Sequence, residues 1–536
     1  MVLHPVGARS NKFSPSMKKD ALKRFLDKSK PFGPIDANDV SLAQAPEVSE
    51  LFNQHNRLFD SLRNNPSIII GRRGAGKTAY LRSIALKEDY KVRIELNTAE
   101  LLAGVAANIS AVSGSVLFVE RIADTWQALF WLALFHHITL TNSADFDDVA
   151  TIKAFVECKD VMCAKTTDGF LVNLLNDSRN LQGGDLLELL RPDTGPPSHI
   201  SFEKAQSAAM KFLQRVQKKA VLLLDSIEDY KQDISSAEQA VKGLLKCVGR
   251  FNEMQERLHL RFCLPAEVYP LFLESASNPL KDFRSTVALQ WKSNELWQIA
   301  AYRYQLFLQL YHPSLGLAVS SLETRGEVYQ FIDEILPKKI TNAFGRQELT
   351  TTYILRHTQI MPRHILLYLN EIFEVHGRKQ GVMASKPEPA AVRAGVEAKE
   401  EVLADEILSA YRSRYHSAKA ICDACLPELP LRFPAGELHS VFNHRAKRIF
   451  NGEFADFQRM LLDIGVIGKV VSEDADYVQG VFQFTLPNAL RVGSKDELCM
   501  HPVFCRAYGA KWDHGRDPKP VYPIGVHPED PDVPPI

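Results

Sequence analysis

The octapeptide Gly71-Arg72-Arg73-Gly74-Ala75-Gly76-Lys77-Thr78 constrains this chain more than any other stretch of it. It fits G-x-x-x-x-G-K-[ST] at every fixed position. Before it, Ser67-Ile-Ile-Ile70 reads as a short buried strand; after it, Thr78–Leu86 reads as a helix. Glycines let successive backbone N–H groups turn toward one point. The helix N-terminus adds its positive dipole end, so the whole reads as a phosphate cradle. Lys77 would neutralise the β- and γ-phosphates of a nucleotide, and the Thr78 hydroxyl would ligate Mg²⁺. Gly71, Arg72, Arg73, Gly74, Ala75, Gly76, Lys77, Thr78 and Ala79 are the expected nucleotide contacts.

Such a site needs a carboxylate at the end of a second buried strand. Ala220-Val-Leu-Leu-Leu224 is apolar throughout, as in a strand covered on both faces, and it runs into Asp225. Asp225 is the expected magnesium ligand beside Thr78. The next position, where many nucleotide hydrolases carry Glu, is Ser226. Glu228 and Asp229 are the nearest acids, and Glu228 is the expected water-orienting residue. Lys77, Asp225 and Glu228 thus form the expected catalytic set. The loop argues for binding, whereas hydrolysis needs a group that Ser226 leaves open. After a further strand, Leu260–Leu264, Glu267 stands where a residue could sense the terminal phosphate or serve as a helix N-terminal carboxylate. Arg363, opening an apolar helix in Pro362-Arg363-His364, could reach phosphate in a closed state or make a surface salt bridge. Arg284 is a weaker candidate for an arginine acting on a neighbouring copy.

Strands and helices alternate across this region, which predicts an α/β fold, a parallel sheet covered by helices. At 536 residues the chain is too long for one ordinary core. The expected organisation is an N-terminal arm (1–45), a nucleotide-binding core (46–292) with a helical insert at about 98–215, a helical lid (293–383), a Pro/Ala/Glu-rich flexible linker (384–402), a smaller unit (403–510) and an extended tail (511–536). In the smaller unit two helices precede two β-patterned segments, the outline of a winged helix-turn-helix.

Lys plus Arg and Asp plus Glu balance at 64 each, which argues against a chain coated in nucleic acid. The basic patch His444-Arg445-Ala446-Lys447-Arg448 leaves local contact with nucleic acid open. The apolar run Ala128–Phe135 falls short of the ~20 residues of a membrane span, so it reads as a buried core helix and no membrane partner is expected. Of eight cysteines only Cys422 and Cys425 are closely spaced. Zinc would want four tetrahedral ligands, and Cys499, His501 and Cys505 lack a second tight pair. Buried thiols in a reducing, cytoplasmic compartment are the default expectation.

Taken in order, these motifs resemble the bacterial AAA+/STAND-like ATPases, a group that includes origin-recognition-type ATPases. The residues that carry the resemblance are the loop, Asp225-Ser-Ile-Glu-Asp-Tyr230, the strand ending near Pro265, Leu289-Gln-Trp291 with Glu295-Leu296, Met361-Pro-Arg-His364 and Asp463-Ile-Gly-Val-Ile-Gly468. The resemblance implies ATP and Mg²⁺ as cofactors, a helical lid and a C-terminal winged helix. It also implies ATP-gated switching with self-association or a protein partner, in a group whose bacterial members often serve phage defence. By it, Arg363 matches the lid sensor position, and Ser226 is the departure. A DNA-binding ATP-dependent regulator and a non-hydrolysing scaffold are the alternatives.

Overall fold

The computed structural model describes residues 15–40, 51, 67–87, 90–111, 119–142, 146–157, 164–180, 186–191, 200–225, 235–254, 256–267, 269, 286–380, 386–486, 489–511 and 518–529. Ser226, Glu228, Asp229 and Arg284 lie outside the described residues. Five strands, β1 (Ile68–Gly71), β2 (Tyr90–Leu96), β3 (Lys219–Leu224), β4 (Leu258–Pro265) and β5 (Thr286–Ala288), form an all-parallel sheet in the order β2-β3-β4-β1-β5. The mixed α/β class and the parallel sheet are those expected. Alternation along β3 shows how the sheet is covered. Leu222 and Leu224 point into one apolar cluster, while Val221 and Leu223 point into another on the opposite face.

The helices follow in chain order. The N-terminal helix α1 (Pro15–Leu22) precedes the sheet, and α2 (Lys77–Lys87) follows β1. Tyr80 and Leu81 of α2 join Val221, Leu223 and Met361 on one face of the sheet. Between β2 and β3 run α3 (Thr98–Ala111), α4 (Val119–Thr141), α5 (Asp147–Glu157), α6 (Thr167–Asn180), α7 (Leu186–Leu190) and α8 (Phe202–Arg215), the expected helical insert. These, with α9 (Ser235–Met254), build the core of the other face. Ala128–Phe135 is buried in α4 as anticipated, and Trp126 Nε1 donates to the Ala240 carbonyl at 2.9 Å. No helix among the described residues is long and apolar enough to cross a membrane.

After β5 come α10 (Ser293–Tyr311), α11 (Arg325–Ile335), the hairpin β6 (Lys339–Thr341) and β7 (Gln347–Leu349), α12 (Thr350–Arg356) and α13 (Pro362–Gln380). The linker expected at 384–402 is a correction: Pro389–Ala410 is a continuous helix, α14. The same composition explains both readings. Alanine and glutamate are strong helix formers, and proline is tolerated at the first helical position, where Pro389 stands. Val392, Val396, Leu403 and Ile407 recur at helical spacing and are buried. They join a single core running from α10 to the C-terminal strand. Contact is close: a Cβ on Gly395 would lie 2.7 Å from the Ile372 Cα of α13.

The smaller unit comprises α15 (Ala418–Cys425), β8 (Arg432–Pro434), α16 (Ala435–His444), α17 (Phe454–Ile464), β9 (Ile467–Glu473), β10 (Val478–Val481), β11 (Glu497–Met500), α18 (Pro502–Ala507) and β12 (Val521–Pro523). Its sheet has five strands in the order β12-β10-β9-β11-β8, where the sequence suggested a two-stranded ribbon. The tail supplies one of them. β12 pairs parallel to β10, because alternating bulky residues around Tyr522 have an apolar place to go. The N-terminal arm is likewise built in: Phe32 is buried against Tyr304 and Phe373, with ring centroids 5.1 Å and 5.3 Å away.

Residues 356–364 join these parts. Buried Arg356 makes a two-point ion pair with Glu348 at 3.0 and 3.1 Å, and Tyr522 of β12 donates to the same carboxylate. His501 accepts from the Val503 N–H through Nδ1 at 3.3 Å, and its Nε2 faces the Thr358 carbonyl at 3.1 Å. That pairing requires a neutral ring. Burial holds the pKa of His357, His364 and His501 down, His501 to about 3. Burial pushes Glu400, hydrogen-bonded to His357, up to about 8.

The signs oppose. Below about pH 6.5 the unfolded chain binds histidine protons that the fold rejects, so the histidine contribution is lost as pH falls. The Glu400 contribution is present at low pH and lost as pH rises toward about 8. Three groups outweigh one, so unfolding free energy should fall between pH 6.5 and pH 5. Each histidine contributes a slope of up to roughly 1.4 kcal/mol per pH unit. Urea titrations of wild type and His501→Gln across this range check it, and the variant should show the shallower slope.

Candidate functional site

The backbone places the loop before any side chain does. β1 is flanked by β4 and β5, and its last residues continue the ladder: Ala266 N–H donates to the Gly71 carbonyl at 3.0 Å, and Leu289 N–H to the Ile70 carbonyl at 2.7 Å. The chain leaves β1 for the far edge strand β2, returns through β3 and β4, and then passes over β1 to β5. In open parallel sheets, ligands bind at such a reversal, outside the carboxyl ends of the strands. Residues 72–76 lie there. Gly74 and Gly76 have φ of +87° and +85°, conformations that favour glycine. The Ala75 N–H closes onto the Arg72 carbonyl at 3.0 Å, and Trp291 Nε1 donates to the Ala75 carbonyl at 2.9 Å.

Two expected partners meet. The Thr78 hydroxyl donates to Asp225, with Oδ2 at 2.9 Å and Oδ1 at 3.2 Å, across a sequence separation of 147. Lys77 is buried and donates to the Arg72 carbonyl at 3.2 Å. Cys263 lies on β4, the strand between β1 and β3. Burial, then the Asp225 carboxylate, pushes its thiol well above the usual range, against the opposing pull of Lys77. Burial and the raised pKa keep this thiol in its protonated form, the less nucleophilic one. Thr78 and Asp225 offer two oxygen donors side by side, which suits a small hard cation that keeps most of its water. Elsewhere among the described residues, no group of three or more His, Cys, Asp or Glu side chains converges as a metal site. Cys422 and Cys425 are buried on α15, Cys499 on β11.

Other expected contacts point elsewhere. Arg72 hydrogen-bonds Gln359 and lies over the Phe484 ring, 5.2 Å from its centroid. Arg73 Nη1 reaches Ser409 Oγ at 3.4 Å. Both guanidinium groups therefore face the C-terminal half of the chain. The Ala79 side chain packs against the cluster of Leu22, Leu26 and Val40. Arg363 reaches the loop through its backbone, with N–H to the Gly74 carbonyl at 3.4 Å. Its guanidinium pairs with Asp36 and Glu406, both at 2.8 Å. That is the salt bridge the sequence allowed, made half-buried between two distant elements rather than on the surface.

Sequence reasoning missed Asp36, Gln359, Glu406 and Phe484. None belongs to a motif, and each is more than 280 residues from the loop or from its partner in at least one of these contacts, or meets it only through α13 and α14. Buried Glu267 accepts from the Arg73 N–H at 2.8 Å, so it addresses the loop itself. No protein-family model and no curated protein matches this chain.

Gly74 combines positive φ with a close neighbour, as a Cβ there would lie 3.2 Å from Arg363 Cβ. Gly345 has φ of +75° with nothing within 4 Å. Gly345→Ala should therefore pay only the backbone cost, about 1–2 kcal/mol. Gly74→Ala should lose measurably more in urea unfolding, because it also presses the loop away from α13.

Proposed function

We propose that this protein is a P-loop nucleotide-binding switch of the AAA+/STAND-like kind, which binds ATP with Mg²⁺ and hydrolyses it. The observation that carries the reading is the Thr78–Asp225 contact beside Lys77, at the carboxyl edge of the parallel sheet. In this reading Thr78 and, through water, Asp225 would hold Mg²⁺, which would supply charge neutralisation at the phosphates. Lys77 would leave the Arg72 carbonyl for the phosphates, and the loop N–H groups would orient them. Glu228 remains the proposed water-orienting residue.

The proposed switch rests on what surrounds the loop. Arg72, Arg73 and Gly74 each touch residues of the C-terminal half, so a phosphate-induced shift of the loop has somewhere to be felt. A ligand moves such an equilibrium only by binding one state better. The order α15-β8-α16-α17-β9-β10 supports the winged-helix part of the proposal, with β11 and β12 as additions. On α17 the exposed side chains include Asp456 and Arg459, and Arg459 pairs with Asp463 at 3.2 Å. That face offers little net positive charge to duplex phosphates. A protein partner or a second copy is the partner class that this surface favours.

Lys77→Ala should reduce Mg²⁺-ATP affinity by at least 100-fold in calorimetry, since it removes a buried charge-assisted contact. Undiminished affinity refutes the site. Phosphate release should fall at least tenfold in both Asp225→Asn and Glu228→Gln. A wild type no faster than these variants would favour a non-hydrolysing scaffold.

A further inference from the structure

Glu267 follows β4, the strand between β1 and β3, and so stands on the sheet edge between the loop and Asp225. It is 4% exposed. Its Oε1 accepts from the Arg73 N–H at 2.8 Å, while its Oε2 is buried and makes no hydrogen bond among the described residues. Burying a carboxylate oxygen without a donor is costly. Placing that carboxylate on a backbone N–H of an anion cradle also sets it against any incoming phosphate. A loop N–H that receives one oxygen of Glu267 is a donor already taken, by a group that resembles a phosphate oxygen in charge and reach.

The position along the cradle matters. The Lys77 and Thr78 N–H groups stand at the N-terminus of α2, where a phosphate chain begins its contact with the loop. Arg73 lies at the opposite end of the loop, toward which a longer chain extends. Resting on the nucleotide-binding reading above, we propose that Glu267 sets the phosphate count of the site. It holds the N–H that a terminal phosphate would claim and repels the added charge, so the site takes a nucleoside diphosphate more readily than a triphosphate. A triphosphate binds by displacing the Glu267 carboxylate from Arg73. Glu267 is then a specificity-determining residue, acting through the same N–H as the ligand.

Glu267→Gln keeps the shape and the accepting oxygen but removes the charge. In calorimetry on the full chain with Mg²⁺, wild type should bind ADP about tenfold more tightly than a non-hydrolysable ATP analogue, the scale expected for one like charge at short range. In Glu267→Gln the analogue should gain about tenfold and ADP little, so that the preference collapses. Glu267→Ala, a second route to the same loss of charge, should show the same collapse, with urea unfolding used to establish that each variant is folded. A wild-type preference retained in either folded variant overturns the proposal. So does weakened binding of both nucleotides, which would make Glu267 a support of loop shape. Lys77→Ala separates the two levels: if it binds both nucleotides as wild type does, the nucleotide site itself fails, whatever Glu267 does.

Discussion

Everything at the site depends on β1 being an interior strand. All four of its residues pair with β4, Ile68, Ile69 and Ile70 pair also with β5 on the other side, and all four are buried. A strand in that position cannot fray or shift register without exposing Ile68, Ile69 and Ile70 and unpairing two ladders. The loop that follows is consequently anchored at a fixed point. The second anchor is the helix N-terminus of α2, with Tyr80 N–H bonded to the Gly76 carbonyl at 2.9 Å. Between those anchors a five-residue turn has little freedom, and glycines take the two conformations that side chains resist.

The same sheet carries Asp225 to Thr78. One strand, β4, separates β1 from β3, so the carboxyl ends of β1 and β3 lie two ladder spacings apart, about 10 Å. A threonine on the first turn of α2 and an aspartate just past β3 span that distance with their side chains. Parallel strands need long connections, and the helical insert between β2 and β3 serves as one while covering a whole face of the sheet. The insert thus belongs to the core rather than decorating it.

A second dependence runs through residues 356–364. This short stretch ends α12, starts α13, meets the loop through Gln359 and Arg363, and meets the C-terminal unit through Thr358, at His501, and Gln359, at the end of α17. Ile360 adopts φ of +52°, a conformation rare for a branched side chain, which persists only where surrounding contacts hold it. Its neighbours include a buried ion pair and three neutral histidines. The two-point Arg356–Glu348 pair and the His501–Thr358 contact tie this polar stretch to its surroundings, while the buried His357 Nε2 makes no hydrogen bond among the described residues.

Much of the fold was legible because it follows from local rules. The apolar run into Asp225, the loop with its strand and helix, and the buried α4 each announce themselves by pattern. The failures were equally local. Residues 384–402 have a composition shared by linkers and by exposed helices, and only contact with α13 decides that Val392, Val396 and Leu403 form a face. Proline and aspartate made the tail look merely extended, whereas Tyr522 has a buried carboxylate to bond. The short strands β8, β11 and β12 are too brief for periodicity to register.

By itself the sequence determined which groups are present at the loop and their order: glycines where positive φ is needed, a lysine and threonine at a helix start, and an aspartate after a strand. Chemistry of that kind is written in adjacent residues, because it depends on backbone conformation within one turn. Only the tertiary structure decided which distant groups meet them. It put Asp225 on Thr78, turned Arg72 toward Gln359 and Phe484, tied Arg363 to Asp36 and Glu406, and brought Glu267 to the Arg73 N–H. Those pairings are set by strand order and helix packing, which no spacing along the chain encodes.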